Sequence, residues 1–545
     1  MFGLLFLSLV QAADRPPAAA VASAHPAATR AGLEILQAGG NAFDAAVAVS
    51  AALAVVEPYS SGLGGGGFWL LHRASDGYEV VIDGREKAPL AARRDMYLDA
   101  RGDPVAGASI DGPLAAGIPG EPAALAHIAG RYGRLPLKRS LAPAVRLADQ
   151  GFKVDEHYRR MAEFRLKALR ASPAAAKQFL VKGEAPPVGY VIRQPALAET
   201  LRALARKGRA GFYEGEIARR LVGEARRNGG IWTLDDLRQY EVKERRPVVG
   251  NYRGWRVVSA APPSSGGVVL LEMLNMLAVK DLRAMSEADR VHYLVEVMRR
   301  AYADRARWLG DADFVDMPLE HLLSASYARK LVTGIDMKKA TPSRSLDSVR
   351  PEGHDTTHFS ILDREGNRVA ATLSINYPFG SGFVAAGTGV LLNDEMDDFS
   401  IKPGVANVYG LVGAEANAIA PGKRMLSSMS PTFLENRDHV AILGTPGGSR
   451  IITMVLLGLL EAVEGKDAQA WVTRPRFHHQ YLPDAIQLEP EAFSEELKAA
   501  LSRRGHELDE KSRPWGNMQA VHWDRKGNTV EAASDPRGGG MAVVR

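Results

Sequence analysis

Thr356-Thr357-His358-Phe359-Ser360-Ile361 and Val369-Ala370-Ala371-Thr372-Leu373-Ser374-Ile375 alternate in character, and Asp363-Arg364-Glu365-Gly366-Asn367 lies between them. Period-two alternation on either side of a short Gly/Asn-containing link predicts a β-hairpin. In the second strand, Thr372, Ser374 and Asn376 share one face, while Ala371, Leu373 and Ile375 share the other. Hydroxyls and an amide beside the start of a partner strand are unusual groups to bury. A half-exposed sheet with its polar face in water would give the same pattern, so both readings stand at this point.

Immediately upstream, Lys338 to Asp355 is polar and carries Pro342, Pro351, Ser343, Ser345 and Ser348, as expected of an exposed connection. From about Leu114 to Ile335 the apolar spacing is mostly helical, as in Pro195 to Arg206 and Val291 to Leu309. A strand is expected near Arg256 to Val258, followed by the stiff turn Pro262-Pro263-Ser264-Ser265-Gly266-Gly267. Ala42 to Glu57 is strongly apolar, with Asn41 suited to an N-cap and Pro58 to a stop. It contains Asp44 and is short for a membrane crossing, so it reads as a buried helix. Gly64-Gly65-Gly66-Gly67 then permits close backbone approach; no Gly-Lys-Ser/Thr follows, which argues against a nucleotide loop. Phe68 to Leu71 and Glu79 to Ile82 read as a strand pair about Ser75-Asp76-Gly77.

Downstream, carboxylates cluster in Asn393-Asp394-Glu395-Met396-Asp397-Asp398-Phe399, and hydroxyls in Arg424-Met425-Leu426-Ser427-Ser428-Met429-Ser430-Pro431-Thr432. Thr445-Pro446-Gly447-Gly448-Ser449-Arg450 links a strand, Val440 to Leu443, to a helix, Ile451 to Glu464. Two glycines at such a turn can aim backbone N–H groups outward, a natural anion or oxyanion site. Surface acids, a polar loop and a tight turn are the ordinary readings of the same segments.

The composition excludes several classes. The 545 residues contain no cysteine, which removes thiol catalysis, disulfides and Cys-ligated zinc. A net charge of +5 without a long basic block gives no electrostatic case for nucleic-acid binding. Phe2 to Val10 is an apolar run too short to span a bilayer. It precedes the small residues Ala12-Ala13 and reads as a signal peptide over 1–13, which implies a periplasmic or secreted protein.

Thr356-Thr357-His358-Phe359-Ser360, Asn376, Asn393-x-x-Met396-Asp397-Asp398-Phe399-Ser400, Ser427-Ser428-Met429-Ser430-Pro431 and Pro446-Gly447-Gly448-Ser449-Arg450 together resemble the γ-glutamyltransferase family. The resemblance extends upstream through Gly39-Gly40-Asn41, Asp44-Ala45-Ala46, the Gly64–Gly67 run, Asp83-Gly84-Arg85-Glu86-Lys87-Ala88-Pro89 and Ala301-Tyr302-Ala303-Asp304-Arg305. It covers nearly the whole chain after the signal region. It implies an α+β, N-terminal-nucleophile hydrolase fold, with two sheets sandwiched between helices in four αββα layers. It also implies self-cleavage between Asp355 and Thr356, giving a large subunit (14–355) and a small catalytic subunit (356–545).

By matched position, the resemblance makes Thr356 the nucleophile, with its freed α-amino group as base. Gly447 and Gly448 become the oxyanion hole, Arg85 the grip on a substrate α-carboxylate, and Ser427 and Ser428 its helpers. Asn376, Glu395 and Asp398 would hold the α-ammonium, and Ser374 stands where a threonine contacts the nucleophile's amino group. Pro403 to Ala420, with Tyr409, is similar to a lid loop, and Gly84 stands where many relatives carry a bulky aromatic. His358 is expected to pack rather than act as a base. The implied substrates are glutathione and related γ-glutamyl compounds, with water, amino acids or peptides as acceptors, and no metal or organic cofactor. The alternative is a β-lactam (glutaryl) acylase or another γ-linked amidase. That branch of the family tends to lack the carboxylate of Asp398, which favours a zwitterionic glutamyl group.

Overall fold

A computed structural model describes residues 15–343, 356–402, 404–408 and 410–545. The expected signal segment 1–13, Asp355 at the expected cut and Tyr409 of the expected lid lie outside the described residues. The strands that position the site are β1 (Ala20–Ser23), β2 (Gly66–Arg73), β3 (Tyr78–Gly84), β4 (Lys243–Arg245), β5 (Val248–Tyr252) and β6 (Trp255–Ser259). After them come β7 (Thr357–Leu362), β8 (Arg368–Ser374), β9 (Thr432–Glu435), β10 (His439–Gly444), β11 (Gln519–Asp524), β12 (Thr529–Ser534) and β13 (Met541–Val544). One sheet runs β13-β1-β7-β8-β2-β3-β4 and the other β12-β11-β10-β9-β6-β5. Every pairing within both is antiparallel.

The two sheets face each other across a core that includes Phe68, Leu70, Leu362 and Ala370 from the first and Val258, Phe433, Ile442 and Trp523 from the second. The outer face of the first sheet, with Trp69, Ile361, Ala371 and Leu373, is covered by α1 (Pro26–Gln37), α2 (Ala42–Val56), α3 (Leu137–Gln150), α4 (Glu156–Phe164) and α5 (Pro195–Lys207). The second sheet is covered by α6 (Gly266–Leu277), α7 (Glu287–Trp308) and α8 (Ile451–Val463). Four layers, αββα, result, as expected from the resemblance.

The hairpin forms with Thr372 opposite His358 and Leu373 opposite Thr357. Every residue of β7 and β8 is buried, so the half-exposed reading fails. The physical reason is that the polar face lies against a second sheet and not water. His358 occupies that layer: its ring nitrogens bond the Thr372 (2.8 Å) and Ser360 (3.3 Å) hydroxyls, and burial pushes it down to about 3. A side chain on Gly444 of β10 would start 2.2 Å from the ring, so that glycine lets the sheets close over a neutral imidazole.

All fifteen residues of α2 are buried. Its N-terminus is closed by a reciprocal cap, in which Asn41 Oδ1 accepts from the Phe43 and Asp44 N–H groups and Asp44 Oδ2 from the Asn41 N–H, each at 3.0 Å. The Gly64–Gly67 run packs backbone on backbone. Added Cβ atoms would lie 1.9–2.4 Å from the carbonyls of Leu391, Ser374, Gly84 and Thr372 in turn, which no other residue type could tolerate.

Candidate active site

The register of the first sheet brings the start of β7 beside the end of β8. Thr356, only 6% exposed, therefore reaches Ser374, donating from Oγ1 to its Oγ at 3.3 Å. Beyond β8 the chain turns sharply at Asn376, where φ is +73°. The turn is held by Asn376 N–H donating to Ser374 Oγ (2.7 Å) and Asn376 Nδ2 donating to the Asp394 carbonyl (3.1 Å). Those contacts tie the hairpin to the short turn Glu395–Asp398, and so place the carboxylate cluster beside Thr356.

β3 delivers Arg85 to the same place. Its guanidinium is fully buried and donates from Nη1 to Glu395 Oε2 (2.5 Å), from Nη2 to Asp398 Oδ2 (2.5 Å) and from Nε to the Met425 carbonyl (3.3 Å). Asp398 is held further by Asn407 Nδ2, which donates to Oδ1 at 3.1 Å. Glu86 sits directly behind, Oε2 3.5 Å from Arg85 Nη1, and among the described residues neither oxygen has a hydrogen-bond donor. Burial, together with its carboxylate neighbours, pushes the Glu86 and Glu395 carboxyls upward. Three carboxylates thus surround one guanidinium. The wall beside Arg85 at Gly84 is closed by neighbours: an added Cβ would meet Trp69 at 2.8 Å and Ala124 at 3.0 Å, leaving no room for an aromatic there.

The serine pair arrives from the second sheet. Ser264 and Ser427 form a bridge, and Ser265 N–H donates to the Ser427 carbonyl at 2.8 Å. Ser428 Oγ accepts from Arg305 Nη2 at 3.1 Å. Gly447 and Gly448 follow β10 at φ +138° and +56°, leading into a single turn, Gly448–Arg450, and then α8. Among the described residues neither glycine N–H has a hydrogen-bond acceptor. One small pocket is lined by Thr356, Arg85, Ser374, Asn376, Glu395, Asp398, Ser427, Ser428 and Gly448 together. Gly447 instead lines a wider cleft that meets the pocket at Thr356.

The profile of the gamma-glutamyltranspeptidase family matches residues 28–544. The chain belongs to that family. It is 45% identical over 510 residues to a glutathione hydrolase proenzyme of Pseudomonas sp. (strain A14), covering 92% of this chain and 88% of the relative. It is 41% identical over 528 residues to one of Escherichia coli (strain K12), covering 95% and 90%. Among solved structures, cephalosporin acylase from Bacillus halodurans superposes with TM-score 0.84 at 29% identity, covering 100% of this chain and 99% of that one. The Helicobacter pylori gamma-glutamyltranspeptidase superposes at 0.58 and 40% identity, covering 59% and 92%. The fold is accordingly that of the N-terminal-nucleophile hydrolases.

Within this candidate site, sequence reading passed over two residues. Arg305 was quoted in a motif without a role; it links the two loops from the second sheet, donating from Nε to Ser265 Oγ (2.9 Å) as well as to Ser428. Glu57 ends α2 as its only acid besides Asp44. Its Oε2 accepts from Thr357 Oγ1 at 2.7 Å, one residue from Thr356, and burial pushes it up to about 7. An acid closing an otherwise apolar helix was the available signal.

That shift has a consequence for stability. A carboxyl whose folded value lies above its unfolded one stabilises the fold fully at low pH and loses the contribution as pH rises through the folded value. Wild-type protein should therefore lose on the order of 3 kcal/mol through Glu57 between about pH 4 and pH 8, and Glu57→Gln should not. Thermal unfolding of both proteins at pH 5 and pH 8 checks this; equal pH slopes would refute it.

The described residues also hold one buried group with cation-ligand spacing, His292, Glu296 and His506. Its carboxylate already accepts from Arg300 (2.5 Å), Arg299 (3.3 Å) and the Thr341 N–H (3.0 Å). Two guanidinium groups on the only anionic ligand do not fit a metal ion. Glu296 and Arg300 instead pin Thr341 to α7. Among the described residues no helix is long and apolar enough to cross a membrane.

Proposed function

We propose that the chain is a γ-glutamyltransferase and glutathione hydrolase that cuts itself between Asp355 and Thr356 and uses Thr356 as its nucleophile. The observation that carries this reading is the pocket in which Thr356 lies with a buried Arg85 flanked by Glu395 and Asp398. Arg85 is opposite in sign to the carboxylate of a glutamyl group, and the Glu395–Asp398 pair to its ammonium. A zwitterion entering the pocket can exchange ion pairs with it, its carboxylate meeting Arg85 and its ammonium the carboxylates, so neither substrate charge is buried alone.

In the proposed reaction, Thr356 Oγ1 attacks the γ-carbonyl carbon while its proton passes to the α-amino group of the same residue. The carbonyl oxygen becomes an oxyanion, met by the Gly447 and Gly448 N–H groups. The carbon–nitrogen bond then breaks, and the amine departs with the proton from the α-ammonium. Water or an acceptor amine attacks the resulting ester, again losing its proton to the α-amino group, and Thr356 is restored. Ser374, at 3.3 Å from the nucleophile, fixes the hydroxyl before attack. Ser427 and Ser428 complete the carboxylate grip. The segments 14–355 and 356–545 become the two subunits, exported behind the 1–13 leader to the periplasm or medium.

A glutaryl amidase is the second reading, favoured by the cephalosporin acylase neighbour at TM-score 0.84. The two differ in one charge. A glutaryl group lacks the α-ammonium and would leave Glu395 and Asp398 facing carbon. Activity on γ-glutamyl-p-nitroanilide should exceed that on glutaryl-p-nitroanilide by about 1,000-fold in kcat/KM, since a site built for polar contacts rejects the analogue lacking them. Equal rates would overturn the γ-glutamyl assignment in favour of the amidase.

A further inference from the structure

Glu57 is unfavourably placed, and stability does not account for it. It closes α2 at the helix C-terminus, the end whose free carbonyls repel an anion. It is 4% exposed, and among the described residues no Lys or Arg side chain pairs with it. The layer it enters is otherwise apolar: Phe359 and Ile361 point from β7 toward α2 on the same face as Thr357. Thr357 is fully buried and donates from Oγ1 to Glu57 Oε2 at 2.7 Å, while the Tyr59 hydroxyl donates to Oε1 at 3.4 Å. Buried acids held against stability gather where chemistry needs them.

Two observations connect Glu57 with the proposed reaction. Thr357 directly follows Thr356, so the bond to Glu57 fixes the chain one residue from the nucleophile. Glu57 and Thr356 also line one cleft, which Arg85 does not line. A cut before Thr356 creates a cation there. An amide nitrogen becomes an α-amino group, which turns into an ammonium once it takes the hydroxyl proton. A carboxylate without a Lys or Arg partner, beside a nitrogen that becomes positive, stands to that base as the acid of a hydrolytic triad stands to its histidine. The other titratable groups around Glu57 are Tyr59 on its own segment and Asp155 and His157 at the start of α4. Arg160, Arg450, Lys511, Arg513 and Arg537 line the other walls of the cleft.

We propose that Glu57 is a positioning residue for the nucleophile: its carboxylate holds Thr357 from behind, and its negative charge stabilises the ammonium that the Thr356 amino group becomes during attack. No proton leaves Glu57 in this scheme. The hydroxyl proton passes to the α-amino nitrogen, the positive charge so formed is met by the Glu57 anion, and the proton then goes to the departing amine. The inference rests on the reading of Thr356 as nucleophile. An anion close by raises the basicity of the amino group, so removing the anion lowers it.

The test is the pH profile of kcat/KM for γ-glutamyl-p-nitroanilide, measured on processed wild-type enzyme and on Glu57→Gln. Glutamine keeps the shape and an acceptor for the Thr357 hydroxyl, and removes the charge. The acid limb of the variant should move to lower pH by about one unit. Above the limb, kcat should fall about tenfold with KM within about twofold of wild type, because the Arg85 pocket is untouched. Thr357→Val should lower kcat as well, and Thr357→Ser, which restores the hydroxyl, should recover most of the loss. A merely structural role for Glu57 would change the unfolding temperature and leave the limb where it is. Superposed wild-type and Glu57→Gln profiles, or a loss confined to KM, would overturn the inference. A Glu57→Gln chain that stays uncut would do so too, because the amino group does not exist until the cut is made. A wild type that stays uncut, or turns over no γ-glutamyl amide, would instead overturn the nucleophile reading, and the role of Glu57 with it.

Discussion

Thr356→Ala should run as one uncut band on a denaturing gel and turn over a γ-glutamyl donor about 10,000-fold more slowly than wild type, or worse. The wild type should give two bands, the smaller beginning Thr-Thr-His-Phe-Ser. The same hydroxyl is asked to do two things: attack the carbonyl before it in the chain, then attack the donor. Alanine removes both at once. The structural cost is small, because Thr356 Oγ1 has the Ser374 hydroxyl as its described partner and its side chain faces the pocket. Unfolding temperatures close to wild type would separate lost chemistry from lost structure. Thr356→Ser keeps the oxygen and loses a methyl, and should still process, more slowly. A Thr356→Ala protein that nevertheless splits at the same bond would sink the nucleophile assignment.

Replacing Arg85 tests the pocket rather than the nucleophile. Arg85→Ala should lower kcat/KM for a γ-glutamyl donor by about 1,000-fold through loss of a two-pronged, charge-assisted contact. It should also cost about 3–5 kcal/mol of stability, because Glu395 and Glu86 are left buried, and Asp398 half-buried, without their counter-ion. The sign with pH follows. Arg85 holds down the raised folded values of Glu86 and Glu395, and its loss lets them rise further, so the variant is nearest to wild type in acid and falls behind as pH rises. Kinetics with the donor, and unfolding at pH 5 and pH 8, read out both effects. Wild-type kcat/KM in the variant, or a stability deficit that does not grow with pH, would contradict the arrangement. Arg85→Lys restores charge but not the fork, and should recover stability more than activity.

The hairpin around Thr356 was legible because period-two alternation and a Gly-Asn link are local signals. So was α2, with Asn41 as N-cap and Pro58 as stop. What covers each face was not legible. Alternation separates Thr372 and Ser374 from Leu373, but it cannot say that a second sheet rather than water lies against the hydroxyls. Arg85 and Glu395 are 310 residues apart, and Glu57 and Thr357 are 300 apart. Such pairs leave no trace in spacing, and here only resemblance brought Arg85 and Glu395 together. Glu57, which no quoted motif contained, was missed for that reason. Gly444, an inconspicuous strand residue in the sequence, became interpretable only once His358 was found beneath it.

The order of the first sheet carries a last consequence. Reading across it, the chain from the C-terminal end (β13) lies next to the N-terminal β1, then β7 and β8, then β2, β3 and β4. If the backbone is severed before Thr356, three of the six ladders, β13–β1, β1–β7 and β8–β2, join strands from different pieces, like the threads of a weave. Neither piece then owns a complete sheet, and neither can peel away without tearing ladders on two sides. An uncut chain refolds as a single molecule at any dilution, whereas a severed one must find its other half, so its recovery depends on concentration. The cut would thus make assembly close to a one-way event, and durability would rest on how slowly the weave opens rather than on an equilibrium with loose parts.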